Sequence, residues 1–144
     1  MPANTTPIFS LTPAVEWTTT AMTAVNTGHI SSSAATNCYL VFSAGTNGSF
    51  VQKIRFRHLP PTNNTAATVA RVWINNGGAT TTYSASTLWD EITIAANTVN
   101  QAAASINYEL PLNFALPPNY SIYVTLGTLP AGSGILATVV GGDY

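Results

Sequence analysis

Apolar and polar residues alternate along much of this chain, and no segment shows the three-to-four-residue apolar spacing of a helix. The clearest alternation covers residues 106–116, where every even position is apolar. A period of two is typical of a β-strand with one buried face. Pro111 has no N–H to donate to a sheet, so beyond Leu110 we expect a bend or an edge strand.

The segment that follows also alternates. Pro117, Pro118 and Asn119 form a turn signal, and residues 120–126 again place apolar side chains on one face. We expect residues 106–116 and 120–126 to pair as neighbouring strands. The other predicted strands are residues 15–24, 38–43, 50–59, 67–75, 80–84, 88–95 and 134–140.

This series of short strands predicts the fold class. Clusters of Gly, Pro, Asn and Ser separate the strands, which is typical of sandwiches and barrels and not of alternating β/α units. The prediction is an all-β protein, an antiparallel two-sheet sandwich of jelly-roll type with about eight strands. Residues 14–144 form its single domain. Residues 1–13, with three prolines and no alternation, are predicted to be an extended N-terminal arm that orders against a neighbour.

The composition excludes several classes of function. Only 6% of residues are charged and the net charge is −1, so too few cations are present for nucleic-acid binding. Weak charge repulsion favours self-association. The longest nearly apolar run, residues 135–140, is too short to cross a membrane. Cys38 is the single cysteine, so an internal disulfide is excluded and a zinc site is not expected.

Candidate catalytic groups are few and scattered. His29 and His58 are the only imidazoles, and no nucleophile elbow or phosphate-binding loop accompanies them. We interpret His29 as a loop residue and His58 as the end of a strand. We therefore expect no enzyme activity, catalytic residue, metal, cofactor or small-molecule substrate. A hydrolase would need a loop pocket that brings His58 next to Asp90 or Glu91.

Asp90 and Glu91 are adjacent, so on a strand their side chains point to opposite faces. That arrangement suits neither of the carboxylate pairs used in glycoside hydrolysis. We expect one of the two to face solvent and the other to pair with a cation such as Arg71.

Lys53, Arg55 and Arg57 occupy alternate positions of one predicted strand, and form a basic stripe roughly 13 Å long. One interpretation is an ordinary solvated face. The other is a docking stripe for an acidic partner surface, because Arg makes bidentate contacts to carboxylates. Glu109 or Asp143 of a neighbouring copy could supply those carboxylates.

Trp17, Trp73 and Trp89 have two interpretations. Burial in the sandwich core is the one we favour, since it is the commoner fate of such residues. The other is an exposed site on which sugars stack.

Five segments cover about the last two-thirds of the chain. They are FVQKIRFR at 50–57, TVARVWINNGG at 68–78, LWDEITI at 88–94, LPLNFALPPNYSIYVTLG at 110–127 and ATVVGGDY at 137–144. In their order and spacing these segments resemble small structural proteins of tailed bacteriophages, namely the jelly-roll decoration (cement) proteins of their capsids.

The resemblance implies a homotrimer that binds the major capsid protein on the exterior of the virion, after assembly in the host cytoplasm. It implies no active site. We expect the N-terminal arm and the stripe of Lys53, Arg55 and Arg57 to face the shell. The alternative is a trimeric receptor- or glycan-binding module of a phage fibre or head spike, which would need an exposed aromatic cluster around Trp73. A tail or baseplate component is a third hypothesis.

Overall fold

The computed structural model describes residues 10–32, 37–60, 66–100, 102–128 and 134–144. Two 3-10 turns, Ile30–Ser32 and Tyr83–Ala85, lie between strands, and no helix in these ranges is long and apolar enough to cross a membrane. The eight strands are β1 (Thr12–Trp17), β2 (Tyr39–Ser43), β3 (Ser49–His58), β4 (Thr68–Asn75), β5 (Ser86–Ile94), β6 (Tyr108–Leu116), β7 (Ser121–Leu126) and β8 (Ile135–Asp143).

The first strand pairs with the last, the second with the second last, and so on inward, and this pairing order makes the fold a jelly roll. Strand β1 pairs with β8, β2 with β7, β3 with β6 and β4 with β5, all antiparallel. Contacts of β3 with β8 and of β4 with β7 join these ribbons into two four-stranded sheets. Sheet A has the order β1-β8-β3-β6 and sheet B the order β2-β7-β4-β5. The predicted two-sheet sandwich of jelly-roll type is therefore confirmed.

One apolar core fills the space between the sheets. Its fully buried large side chains include Phe42 of sheet B and Phe56 of sheet A. Burying a side chain of this size stabilises the folded state by about 1.5–3 kcal/mol. The buried core residues are Met22, Val41, Phe42, Val51, Ile54, Phe56, Ala70, Val72, Ile94, Leu112, Leu116, Ile122, Val124, Leu126, Ile135, Ala137 and Val139.

A β-bulge in β3 changes which residues of that strand are buried. The register with both neighbours shifts between Val51 and Lys53. Unbroken alternation through the predicted strand 50–59 would place Phe50 inside with Ile54 and Phe56, but Phe50 is 36% exposed and Val51 is buried instead. The extra residue of a bulge moves the alternation by one position, so that Val51 and Ile54 both point inward. Pro111 lies beside this shift on β6, an edge strand, as its missing N–H predicted.

One predicted strand has different bounds in the structure, and another is not a strand. Strand β1 begins at Thr12, so two residues of the predicted arm belong to sheet A, while residues 1–9 lie outside the described part. Beyond Trp17 only Met22 makes an isolated bridge, to Ile135. The predicted strand at 80–84 is wrong, because these residues form a turn that leads into the 3-10 turn Tyr83–Ala85.

The predicted pairing of residues 106–116 with 120–126 is also wrong. Strand β6 pairs with β3 in sheet A, whereas β7 pairs with β2 and β4 in sheet B. The connection at Pro117, Pro118 and Asn119 therefore passes from one sheet to the other, with Asn119 in the left-handed region at φ 66°. Both strands alternate because each presents its apolar side to the same core, from opposite sheets.

We predict that Gly141→Ala destabilises the fold while Gly127→Ala does not. Gly141 pairs with Ala14 and Val51, and a Cβ there would collide with the backbone carbonyl of Phe50. Such overpacking costs about 1–3 kcal/mol. At Gly127 the nearest atom is the flexible Arg71 guanidinium, 3.4 Å away. Urea unfolding measures both, and equal midpoints for the two variants would contradict the prediction.

Candidate functional site

The basic stripe lies on the outer surface of sheet A. Lys53, Arg55 and Arg57 alternate along β3 with Ile54 and Phe56, which are fully buried in the core. Because successive strand residues point to opposite faces, the three cations project away from the core on one side.

The three cations differ in how far their charge is compensated. Lys53 Nζ lies 3.0 Å from Glu109 Oε2 of the adjacent strand β6. Arg55 and Arg57 make no ion pair within the described residues. Glu109 is therefore engaged inside the chain, and Asp143 accepts a 2.6 Å hydrogen bond from Ser49 Oγ. The uncompensated charge of the stripe belongs to Arg55 and Arg57.

The strand register places apolar side chains beside these cations. Trp17 of β1 is aligned with Arg55 through Thr138 of β8, and in the next row Val15 is aligned with the stripe's lysine through Val140. Residues in register share a face of the sheet. Trp17 is 58% exposed and Val15 55% exposed. We call this surface the open face and define it by Val15, Trp17, Lys53, Arg55, Arg57 and Val140.

A groove and a cavity border the open face at its two ends. Between the edge strands β1 and β2, a groove of about 540 Å³ is lined by Trp17 and Leu40 among others. Glu16 spans its floor by accepting a hydrogen bond from the Ser43 N–H at 3.0 Å, and burial raises the pKa of this carboxyl. Beside Arg55 and Arg57, residues 99–100 and 103–105 line a cavity of about 430 Å³. The face thus offers both apolar and cationic recesses to a partner.

Residues 26–29 of the connection between β1 and β2 pack on the outer surface of sheet B. Trp73 of β4 is only 4% exposed, and its Nε1–H donates to Thr125 Oγ1 at 2.9 Å. The His29 ring lies edge-on at 4.9 Å from the Trp73 ring, and Arg71 Nη1 donates to the Asn26 carbonyl of the same connection. Part of this side of the sandwich is therefore covered by the chain itself, whereas sheet A retains exposed tryptophan and arginine.

The favoured interpretation of the tryptophans is right for Trp73 and wrong for Trp17 and Trp89. Both exceptions lie on edge strands, β1 and β5, where a side chain has neighbours on one side only. Trp89 is 49% exposed and packs against Phe114 of β6, with ring centroids 4.8 Å apart. The apolar half of the open face could have been found from the alternation of Val15 and Trp17, had β1 been recognised as an edge strand.

The acidic pair lies on β5, far along the chain from the stripe. Glu91 Oε1 accepts a hydrogen bond from Arg71 Nε at 2.6 Å, as expected for one member of the pair. Both Asp90 and Glu91 are exposed. Neither lines the cavity that holds His58, and none of the described residues lining that cavity has a carboxylate.

The two histidines have contrasting surroundings. His29 is held in its loop by Ser31 Oγ at 2.7 Å and by the Ser86 carbonyl at 3.2 Å. His58 ends β3 and is 2% exposed, and neither of its ring nitrogens has a hydrogen-bond partner among the residues that the structure describes. Burial lowers the pKa of His58, because the charged imidazolium is disfavoured away from water.

Within the described ranges, no three side chains of His, Cys, Asp or Glu lie close enough to hold a metal ion. Burial raises the pKa of the Cys38 thiol, which disfavours the reactive thiolate.

No protein-family model matches this chain, and the searches of curated proteins and of solved structures find no similar protein. Function is therefore inferred from the residues and from their geometry.

We predict that His58 makes the protein less stable in mild acid. Unfolded His58 binds a proton near its ordinary pKa of 6.5, whereas the buried imidazole resists protonation. Below that pH the unfolded state holds more protons, so the free energy of unfolding decreases as the pH falls. Urea midpoints measured between about pH 7.5 and pH 5 test this.

His58→Leu is the matching variant, because leucine of similar volume removes two unpaired buried nitrogens. Its midpoint at pH 7.5 should equal or exceed that of the wild type, and its loss of stability in acid should be smaller. Glu16 acts in the opposite direction, since a raised carboxyl pKa favours the fold at low pH, but it does so equally in both proteins. An identical pH dependence in His58→Leu would contradict the assignment, and His29→Gln is the control.

Proposed function

We propose that this protein is a capsid decoration (cement) protein of a tailed bacteriophage. It binds the outer surface of the head, on the major capsid protein, and stabilises the joints between capsid subunits. The observation that carries the proposal is the open face, where an exposed tryptophan adjoins two arginines that make no ion pair within the described residues. The resemblance to decoration proteins supports the same function.

The chemistry of the open face suits a protein partner with an acidic rim. Interfaces are enriched in tryptophan and arginine, which contribute most of the binding energy when a pocket on the partner desolvates them. Trp17 and Val15 supply apolar area that binding removes from water, at about 25 cal/mol per Å². Arg55 and Arg57 can each receive a carboxylate in bidentate geometry.

Such docking explains stabilisation without catalysis. A protein that binds only the assembled shell shifts the equilibrium toward that shell by mass action. In the proposed homotrimer, three open faces bind together, so that the second and third contacts form at high effective concentration. Weak contacts at each face then suffice for lasting occupancy.

We predict that the two unpaired arginines dominate the electrostatic part of docking. Arg55→Ser with Arg57→Ser should weaken binding to heads at least about tenfold, equivalent to about 1.4 kcal/mol. Lys53→Ser should have a smaller effect, because Glu109 already compensates that charge. Binding of each variant is measured by co-sedimentation with heads that lack the protein, prepared from the phage whose genome encodes it.

Salt provides an internal check on the same measurement. Raising NaCl from about 50 to 300 mM should weaken wild-type binding more than binding of the double variant, since fewer charges remain to be screened. Undiminished occupancy of the variant lacking all three cations would remove the stripe from the interface. Failure of the wild-type protein to bind heads at all would overturn the proposed function.

We predict that Trp17 provides the main apolar contact. Trp17→Ser should lower the affinity for heads by about tenfold or more, as expected for a buried interface tryptophan. Trp89→Ser is the matched control, because Trp89 is exposed to a similar extent on the opposite edge of the sandwich. Co-sedimentation measures both variants, and thermal unfolding verifies that both are folded. Equal losses for Trp17→Ser and Trp89→Ser would contradict docking through the open face.

A further inference from the structure

A cleft of about 490 Å³ lies on the outer side of sheet B, opposite the open face. The β1–β2 connection forms one wall, β5 forms the other and β4 supplies the floor. Its volume is within the usual range for a site that binds a small molecule. The lining residues used below are Thr27, His29, Arg71, Tyr83, Thr87 and Leu88.

An exposed aromatic platform stands at the rim of this cleft. The Tyr83 ring stacks on the His29 ring with centroids 4.1 Å apart and an interplanar angle of 26°. His29 is fixed by the Ser86 carbonyl and by the edge of the buried Trp73 ring. Tyr83 itself remains 73% exposed. A large aromatic ring held in place from behind, with its surface in water, is suited to receive another ring.

Hydroxyl groups line the cleft beside the platform. The hydroxyls of Thr27, Tyr83 and Thr87 make no hydrogen bond within the described residues. Arg71 donates through Nε to Glu91 and through Nη1 to the Asn26 carbonyl. Because Glu91 compensates the Arg71 charge at 2.6 Å, the cleft offers hydrogen bonds without a free net charge from this pair.

We propose that this cleft binds a neutral sugar ring of a glycan. One face of a hexose carries C–H groups, which pack against the electron-rich face of an aromatic ring, while the hydroxyls at its perimeter need donors and acceptors. Tyr83 provides the first requirement, and the hydroxyls of Thr27 and Thr87 provide the second. The compensated guanidinium disfavours an anionic ligand as the main occupant, since such a ligand would compete with Glu91.

Glycan binding goes beyond docking to a shell and does not depend on it. The cleft and the open face lie on opposite sides of the sandwich, so both can be occupied in one molecule. A protein held to a particle through sheet A would present the cleft outward. The bound ligand would then be carbohydrate in the surroundings of the particle, such as a cell-surface polysaccharide.

The experiment uses an array of neutral and acidic oligosaccharides, probed with the labelled full-length protein. The strongest neutral oligosaccharide is then titrated while backbone and side-chain NMR shifts are followed, and adenosine monophosphate serves as a planar, anionic comparison. Expected shifts are confined to the cleft. Tyr83→Ala should weaken binding at least tenfold, whereas Tyr83→Phe, which keeps the ring, should retain most of it.

Two variants separate this proposal from the docking function. Trp89→Ala removes an exposed aromatic ring outside the cleft and should leave glycan binding unchanged. Tyr83→Ala should leave head occupancy unchanged, which also shows that the variant is folded. Absence of binding to every neutral oligosaccharide would overturn the proposal, as would unchanged affinity in Tyr83→Ala. Stronger binding of adenosine monophosphate or of acidic glycans would overturn the ligand class.

Discussion

Burial of one side of every strand in a single layer between two sheets is the constraint on which the rest of this structure depends. Strands that are far apart in sequence, such as β1 and β8, must pair with each other for that layer to close. Gly141 lies where this closure is tightest, against the backbone at Phe50 and beside the bulge of β3. Past the bulge, regular alternation with the buried Ile54 and Phe56 makes Lys53, Arg55 and Arg57 face outward together.

Each of the two sheets around this core has an outer surface, and the rest of the chain covers these two surfaces to different extents. The segment between β1 and β2 crosses sheet B and buries Trp73 beneath His29. On sheet A, Trp17 remains exposed next to Arg55. The β1–β2 connection thus affects both features to which we assign a function. It forms one wall of the cleft on sheet B, and it leaves the open face of sheet A available for a partner.

Much of the fold follows from local pattern, and the rest does not. Alternation identified eight strands and the side of β3 that carries the cations, because burial alone imposes a period of two. It failed at residues 80–84, where polar β-branched residues form a turn, and it misplaced Phe50 because a bulge has no local signal.

The pairing of the strands was harder to predict than the strands themselves, because β6 and β7 are adjacent in sequence yet lie in different sheets. The exposure of Trp17 required knowing that β1 is an edge strand, and the Tyr83 platform required knowing where the β1–β2 connection runs.

The pattern of charge compensation indicates what kind of partner the open face can accept. The chain has five carboxylates and four cations. Every carboxylate already accepts a hydrogen bond within the chain: Glu16 from Ser43, Asp90 from the Glu91 N–H, Glu91 from Arg71, Glu109 from Lys53 and Asp143 from Ser49. Arg55 and Arg57 have no such counterpart in the described ranges, although the net charge is negative. The open face is therefore locally cationic on a molecule whose own carboxylates are engaged in hydrogen bonds, and in the proposed function the partner supplies the complementary carboxylates.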